Sequence, residues 1–395
     1  MKVIVKKRAP EHLRVENFGP IKDADITFGD LTVFVGPQAA GKSIVLQLLK
    51  LLVDVAYIKK EFNLAGVDWA GSFPGFLDVY FGEGMRSLAT RSMRIRHNGA
   101  SVHLAQHIED KRPQRQESMF FIPAQRVLAL RDGWPSAFNY YDASIPFTLR
   151  EFSEHLRLLM SDFGVEGTLF PVPRRLKSEF RDLLQEHIFP GFDLKIDTQR
   201  AQKRLVLARK EDGECNLPVA VWSAGQREFV PLLLGLYWLM VPAKAPRRKG
   251  LEWAVIEELE MGLHPRAISV VMLMVFELMA RGYRVCISTH SPQVLDAVWA
   301  LQRLRENGSS PSSLLGVFAA PETPPMLELA QKVMRRQVKL YYFDRKDGTT
   351  HDISSLDSSA EEAGESGWGG LTEFSGRAST AVARAVANAT GKAQS

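Results

Sequence analysis

The chain opens with alternation. Residues 12–18, 24–28 and 31–36 set β-branched and aromatic positions against polar ones, with turn signals at Gly19-Pro20 and Gly29-Asp30, and the pattern predicts three short strands. The period then changes. From Gly41 to about Lys60 apolar residues fall at Val45, Leu48, Leu49, Leu52 and Ala56, the spacing of one helix face. Strand, glycine-containing turn and helix therefore follow one another within the first 60 residues.

The pattern is weaker from 61 to 216. Residues 119–122 read as a buried strand ended by Pro123, and 147–160 and 176–188 as two amphipathic helices around a Pro-containing connection. No heptad is sustained, which argues against a long coiled coil. From 217 the signals sharpen: a helix over 228–240, a buried strand over 251–256, a helix over 265–281 with proline in its first turn, a strand over 283–288 and a helix over 292–303. Alternating strands and helices predict a mainly parallel sheet. Further on, 338–343 and 349–353 flank a Lys346-Asp347-Gly348 turn and predict a hairpin. The Ser-, Glu-, Ala- and Gly-rich 358–370 predicts a flexible loop, and the last 25 residues an Ala-rich helix of weak propensity.

Composition narrows the class. With 395 residues, 45% hydrophobic and 24% charged, the chain is not disordered overall and has the length for two or three domains or for one with large insertions. A net charge of +5 permits nucleic acid without requiring it. The basic runs Lys111-Arg112, Arg174-Arg175 and Arg247-Arg248-Lys249 read as solvated surface. Two distant cysteines, Cys215 and Cys286, exclude a disulfide framework and a Cys-rich zinc site, and fit a reducing cytoplasm. Cys286 lies in an apolar run and is expected to be buried. His103 and His107 have no evident third metal ligand. No apolar run reaches the length of a membrane span, so a cytoplasmic protein without a membrane partner is expected.

The chemistry concentrates in four segments. Gly36-Pro37-Gln38-Ala39-Ala40-Gly41-Lys42-Ser43 matches GxxxxGK[ST] in full, between the predicted strand and helix. Small residues let backbone amides wrap phosphate oxygens, Lys42 supplies charge to the β- and γ-phosphates of ATP, and the Ser43 hydroxyl is suited to Mg²⁺. An apolar strand ends in Glu257-Glu258: one carboxylate can support the magnesium and the other can deprotonate an attacking water. Ser223-Ala224-Gly225-Gln226 heads a helix and reads either as an anion-binding terminus or as a capping box. His290 follows a buried strand and reads either as a γ-phosphate donor or as a structural histidine.

These pieces, in this order, resemble the ABC-type ATPases related to RecF and SMC proteins. Glu257 to Pro265 (Glu-Glu-Leu-Glu-Met-Gly-Leu-His-Pro) is similar to the acidic segment of the overcoming-lysogenization-defect (OLD) ATPases, and Ser223 to Gln226 to the Ser-Gly-Gly-Gln signature. The likeness covers 12–60 and 217–300. It implies an α/β P-loop core with a mainly parallel sheet, N-terminal antiparallel strands and an inserted, partly helical lobe. The expected division is 1–60 and 217–310 for the core, 61–216 for the lobe with part of the core sheet, and 311–395 for a C-terminal extension with a hairpin and tail. It further implies that Gly36 through Ser43 bind ATP, and that Ser223, Gly225 and Gln226 reach the γ-phosphate held by a second copy. Glu258 becomes the general base, His290 the switch histidine, and Gln125 a sensor of magnesium and water alongside Ser43 and Glu257. Two departures stand out: Glu257 replaces the usual Asp, and Leu259 the usual Pro, so hydrolysis is expected to be slow.

The implied function is a nucleotide-driven dimerisation switch controlling a separate effector, a nuclease or toxin, or a DNA transaction in phage defence or DNA repair. The alternatives are a slow-hydrolysing scaffold that sequesters a toxic partner and the ATPase subunit of a membrane transporter. Asp344, Asp347 and Asp352 read as surface charges of the hairpin, so no nuclease centre is expected within the chain.

Overall fold

The computed structural model describes residues 11–69, 71–110, 116–130, 133–142, 144–163, 167–172, 175–198, 203–211, 216–241, 247–356, 368, 370–371 and 376–384. Cys215, Lys111-Arg112, Arg174 and most of the 358–370 loop lie outside them.

The alternating N-terminal segments form β1 (Glu11–Phe18) and β2 (Ile21–Phe28), and the apolar run forms β3 (Leu31–Val35), which leads into α1 (Lys42–Leu64). Then come α2 (Phe73–Phe81), β4 (Ala89–His97), β5 (Ala100–Ser101), α3 (Leu104–Glu109), β6 (Met119–Ile122), α4 (Phe147–Ser161), β7 (Gly167–Phe170), α5 (Ser178–His187), β8 (Phe192–Asp197), β9 (Arg204–Arg209) and β10 (Asn216–Pro218). The C-terminal half supplies α6 (Ala224–Leu239), β11 (Trp253–Glu257), α7 (Pro265–Ala280), β12 (Arg284–Thr289), α8 (Pro292–Glu306), α9 (Pro311–Val317), α10 (Pro324–Val333), β13 (Val338–Phe343) and β14 (Thr350–Asp352).

A six-stranded sheet with order β14-β13-β3-β12-β11-β6 organises the molecule. Its strands pair in parallel except β14, which is antiparallel to β13. Because side chains alternate across a strand, each strand feeds two cores. Val33, Val35, Ala254, Ile256, Val285 and Ile287 pack with α4, α6, α7 and α8 on one face. Phe34, Trp253, Val255, Cys286 and Phe343 pack with α1, α2 and the sheet β2-β1-β4-β5 on the other. Cys286 is buried as expected. A third, antiparallel sheet, β10-β9-β8-β7, belongs to the middle of the chain.

Two segments join the central sheet from outside the two strongest sequence blocks. β6 forms one edge beside β11. The first strand of the C-terminal hairpin, β13, is no appendage: it pairs along the whole of β3, with Tyr342 opposite Val35. The hairpin aspartates build its turn, Asp344 accepting the Lys346 N–H at 2.7 Å and Asp347 that of Thr349 at 2.8 Å, while Asp352 pairs with Lys339.

α1 bends at Asp54, where φ is −118° and ψ 17°. The buried Asp54 carboxylate accepts the N–H groups of Ser118 and Met119, each at 3.0 Å. The fully buried Lys50 donates to Met119 O at 2.6 Å and pairs with Glu151 and Glu117 at 2.9 and 3.1 Å. The helix after the phosphate loop is thereby clamped to the start of β6.

Candidate functional site

Parallel register brings four strand ends to one edge. Val35 lies beside Thr289, Ser288 beside Glu257, and Ile256 beside Ile122. The residues that follow these positions (the glycine turn, His290, Glu258 and Ala124-Gln125) share the carboxyl edge of the sheet, where open α/β folds hold ligands.

The turn from Gly36 to Ser43 needs its small residues. Gly36, Ala39 and Gly41 adopt φ of 143°, 59° and 95°. A Cβ on Gly36 would meet the Phe343 carbonyl oxygen at 2.5 Å, and one on Gly41 would meet Ile21 Cδ1 at 2.3 Å. The hairpin strand and the β1–β2 turn thus wall the loop on two sides. Gly41 is the N-cap of α1 and offers no side-chain cap, so the first amides of the helix stay available to an anion. Pro37, Gln38 and Ala39 are exposed and Ala40 is buried. Lys42 Nζ donates to Gly36 O at 2.7 Å and Pro37 O at 2.9 Å. Burial lowers the pKa of its ammonium to about 8 against the pull of Glu258, Glu260 and Glu257.

Glu257 ends β11 fully inside. Its Oε2 accepts the Ala124 N–H at 3.1 Å, and burial pushes its pKa up against the opposing influence of the Ser43 hydroxyl. The other oxygen, Oε1, is buried without a hydrogen-bond partner. A hard cation takes carboxylate and hydroxyl oxygens, so an unsatisfied buried carboxylate oxygen next to the Ser43 hydroxyl fits Mg²⁺. Glu258 follows at φ 43°, its N–H held by Ser288 O at 2.9 Å. Its half-buried carboxylate stands 3.7 Å from His290 Nε2. Burial, then Lys42, push the His290 pKa down, opposed by Glu258 and Glu260.

Ser223 is the N-cap of α6 and forms the full capping box with Gln226. The bland sequence reading of that segment is therefore correct as local structure, and it does not consume the terminus: Ser223 and Ala224 remain exposed. Gly225 lies against Gly262, whose carbonyl oxygen a Cβ would meet at 2.9 Å. Among the described residues, the hydrogen bonds of the Ser223 hydroxyl stay within this box. Gln125 sits exposed in the turn after β6, its carbonyl accepting the Leu128 N–H at 3.0 Å.

Two residues that the sequence did not single out hold the edge together. Glu260 Oε1 accepts the Thr289 hydroxyl at 2.9 Å and the His290 N–H at 2.5 Å, fixing the backbone at the histidine. Arg126, fully buried, donates to the carbonyl oxygens of Glu228, Glu257 and Glu258. Their partners are backbone groups or distant in sequence, so no local pattern marks them.

Residues 11–124 match the family described as "AAA ATPase domain", and residues 165–296 the family described as "AAA domain, putative AbiEii toxin, Type IV TA system". Both stretches are thus similar to AAA-type ATPase domains. The phosphate loop lies in the first matched stretch and the acidic strand in the second. No curated protein matches this ATPase. Solved structures similar to it include an SMC head bound to the C-terminal winged-helix domain of ScpA (12% identity, 73% of this chain and 91% of that one, TM-score 0.39), the SMC head of Thermotoga maritima (13%, 73% and 92%, 0.31) and RecF with a bound ATP analogue (13%, 73% and 95%, 0.34). Among the described residues of the ATPase, no helix is long and apolar enough to cross a membrane.

Proposed function

We propose that this chain binds ATP with Mg²⁺ and hydrolyses it in a site completed by a second copy. The observation that carries the reading is the meeting of Ser43 and Glu257: a phosphate-loop hydroxyl acting on a strand-end carboxylate that has one oxygen buried and unpaired. Gly36 to Ser43 and the first amides of α1 hold the phosphates, with Lys42 as the point charge. Ser43 and Glu257 hold the magnesium, with Gln125 at the neighbouring turn; the ion, when bound, offsets phosphate charge. Glu258 accepts the proton of the attacking water at its carboxylate, and His290, 3.7 Å away, donates toward the γ-phosphate.

The exposed Ser223 turn makes no hydroxyl contact beyond its own capping box among the described residues. In this reading Ser223, Gly225 and Gln226 serve the nucleotide of the opposite copy, so ATP joins two chains and its loss parts them. Such a switch acts on something else: a separate effector protein, nuclease or toxin, or DNA. The AbiEii-type toxin–antitoxin description of the family matched by residues 165–296 supports the toxin branch, in a cytoplasmic, prokaryotic defence or repair setting of the OLD kind. One observation favours slow turnover and a sequestering scaffold: Glu257, one methylene longer, stands where the related acidic segment has Asp.

Nucleotide titration and size-exclusion chromatography with ATP test this. Lys42→Ala should cost binding by about 2–5 kcal/mol. Glu258→Gln should slow turnover by ~10²–10⁴-fold while accumulating an ATP-dependent dimer. A Glu258→Gln chain that hydrolyses ATP at the unsubstituted rate removes the base assignment, and single-turnover rates separate the switch from the scaffold.

A further inference from the structure

We propose that Arg126 is the positioning residue that couples the signature helix to the hydrolytic acids of its own subunit, an inference that rests on the ATPase reading above. Its guanidinium is fully buried, yet its nearest partners are carbonyl oxygens rather than carboxylates. Nε donates to Glu228 O at 3.1 Å, and the two terminal nitrogens to Glu257 O at 2.9 Å and Glu258 O at 3.1 Å. One rigid fork therefore spans two elements. Glu228 lies in the second turn of α6, five residues beyond the exposed Ser223 cap, while Glu257 and Glu258 are the strand-end acids. The same turn holds Glu257 a second time through the Ala124 N–H.

A planar fork with fixed N–H directions transmits displacement as well as charge. If α6 shifts when Ser223 engages the nucleotide of the other copy, the Glu228 carbonyl moves and the fork must turn. Glu257 and Glu258 then turn with it, the latter already held at φ 43°. The site also offers a second arrangement. Glu228 Oε2 stands 3.8 Å from Arg126 Nε and is buried without a hydrogen-bond partner. A small shift of α6 exchanges the Glu228 carbonyl for its carboxylate as acceptor. Two discrete pairings of one guanidinium provide the two-state element that coupling between sites requires.

A double-mutant cycle between Ser223→Ala and Arg126→Lys tests this, read as single-turnover hydrolysis together with nucleotide affinity. Lysine keeps the charge but cannot span three carbonyls. Arg126→Lys should therefore leave affinity within ~3-fold of the parent and slow hydrolysis by ~10-fold or more, the sign of a loss confined to the reacting state. Ser223→Ala should cost ~10-fold or more in the parent and less than ~3-fold in the Arg126→Lys chain, because coupled residues are not additive. Full multiplication of the two losses, or rescue of turnover by lysine, overturns the proposal. If Arg126→Lys does not fold, hydrogen exchange on the unsubstituted chain decides. A non-hydrolysable ATP analogue must then protect the amides around Glu258 and those of the first two turns of α6 together, and protection confined to residues 36–46 overturns the coupling. An unsubstituted chain that binds no ATP fails the ATPase reading itself, and a hydrolysing chain with additive mutants fails only this inference.

Discussion

Gly41 shows how a single missing carbon sets the phosphate loop. Two costs oppose a side chain there: a φ of 95° and a contact of 2.3 Å with Ile21 Cδ1. The contact is with the tip of a flexible side chain and relaxes cheaply. The backbone angle does not relax, and a non-glycine residue held in such a region costs about 1–3 kcal/mol. Gly41→Ala should therefore lower stability by that amount in chemical denaturation and weaken nucleotide binding. Adding Ile21→Ala should recover little of either; full recovery would show that sterics, not φ, demand the glycine. At this scale the sequence was most informative where chemistry is contiguous. Gly36 to Ser43 is one unbroken peptide whose composition is dictated by its conformation. The placement of Glu257, Glu258 and His290 was also legible, because Glu257 ends a buried strand and the other two follow one. Arg126 was not: its acceptors are main-chain carbonyls 102 to 132 positions away, and a carbonyl leaves no residue type to recognise. Phe121 to Arg126 drew notice only for Gln125.

Elements are held to one another by buried polar joints as well as by apolar packing. Glu11 is such a joint between the N-terminal antiparallel sheet and β12. It pairs with His97 at 2.6 Å, accepts from Asn98 at 2.9 Å and from Arg284 at 2.8 Å. The His97 ring does most to hold its pKa down at about 2, against burial, with Asn98 and Arg284 assisting. A carboxylate with a lowered folded pKa contributes stability that is complete above its unfolded value near 4.5 and is lost as pH falls from there through 2. Solvent reaches part of this group and screens it, so the contribution is about 1–2 kcal/mol. Denaturation midpoints of Glu11→Gln should lie below those of the parent at neutral pH and converge with them as pH falls toward 2; a gap unchanged at pH 2 would place the stabilisation elsewhere. Periodicity and apolar runs located α1, α4, α6, α7 and α8; α1 and α8 bury a stripe, whereas α6 and α7 are buried without a break over 229–239 and 270–279. Such patterns had no access to which strand pairs with which. The hairpin around Gly348 was readable from its turn residues, whereas the union of its first strand with β3, some 300 positions earlier, is written in neither segment.

For the whole molecule the decisive surface is the one bearing Ser223. In the proposed switch this exposed helix terminus meets a γ-phosphate held by another copy, which would make assembly a condition of activity. Ser223→Arg puts a long side chain where the proposed contact with the γ-phosphate needs a small one, on a residue that the core does not bury. That substitution should leave nucleotide affinity of the monomer intact, abolish the ATP-dependent dimer in light scattering and reduce turnover to the level of the isolated chain. Persistent dimerisation would remove Ser223 from the interface.

The seat of β13 beside β3 also orders events in time. A ribosome adds residues one by one, and the phosphate loop emerges roughly 300 residues before the strand whose Phe343 carbonyl backs Gly36. Until that strand arrives, β3 has an unpaired edge and the loop lacks one wall. An incomplete translation product therefore carries the nucleotide-gripping peptide without the support that shapes it. The wall behind Gly36 is therefore complete only once β13 has been made and has paired with β3.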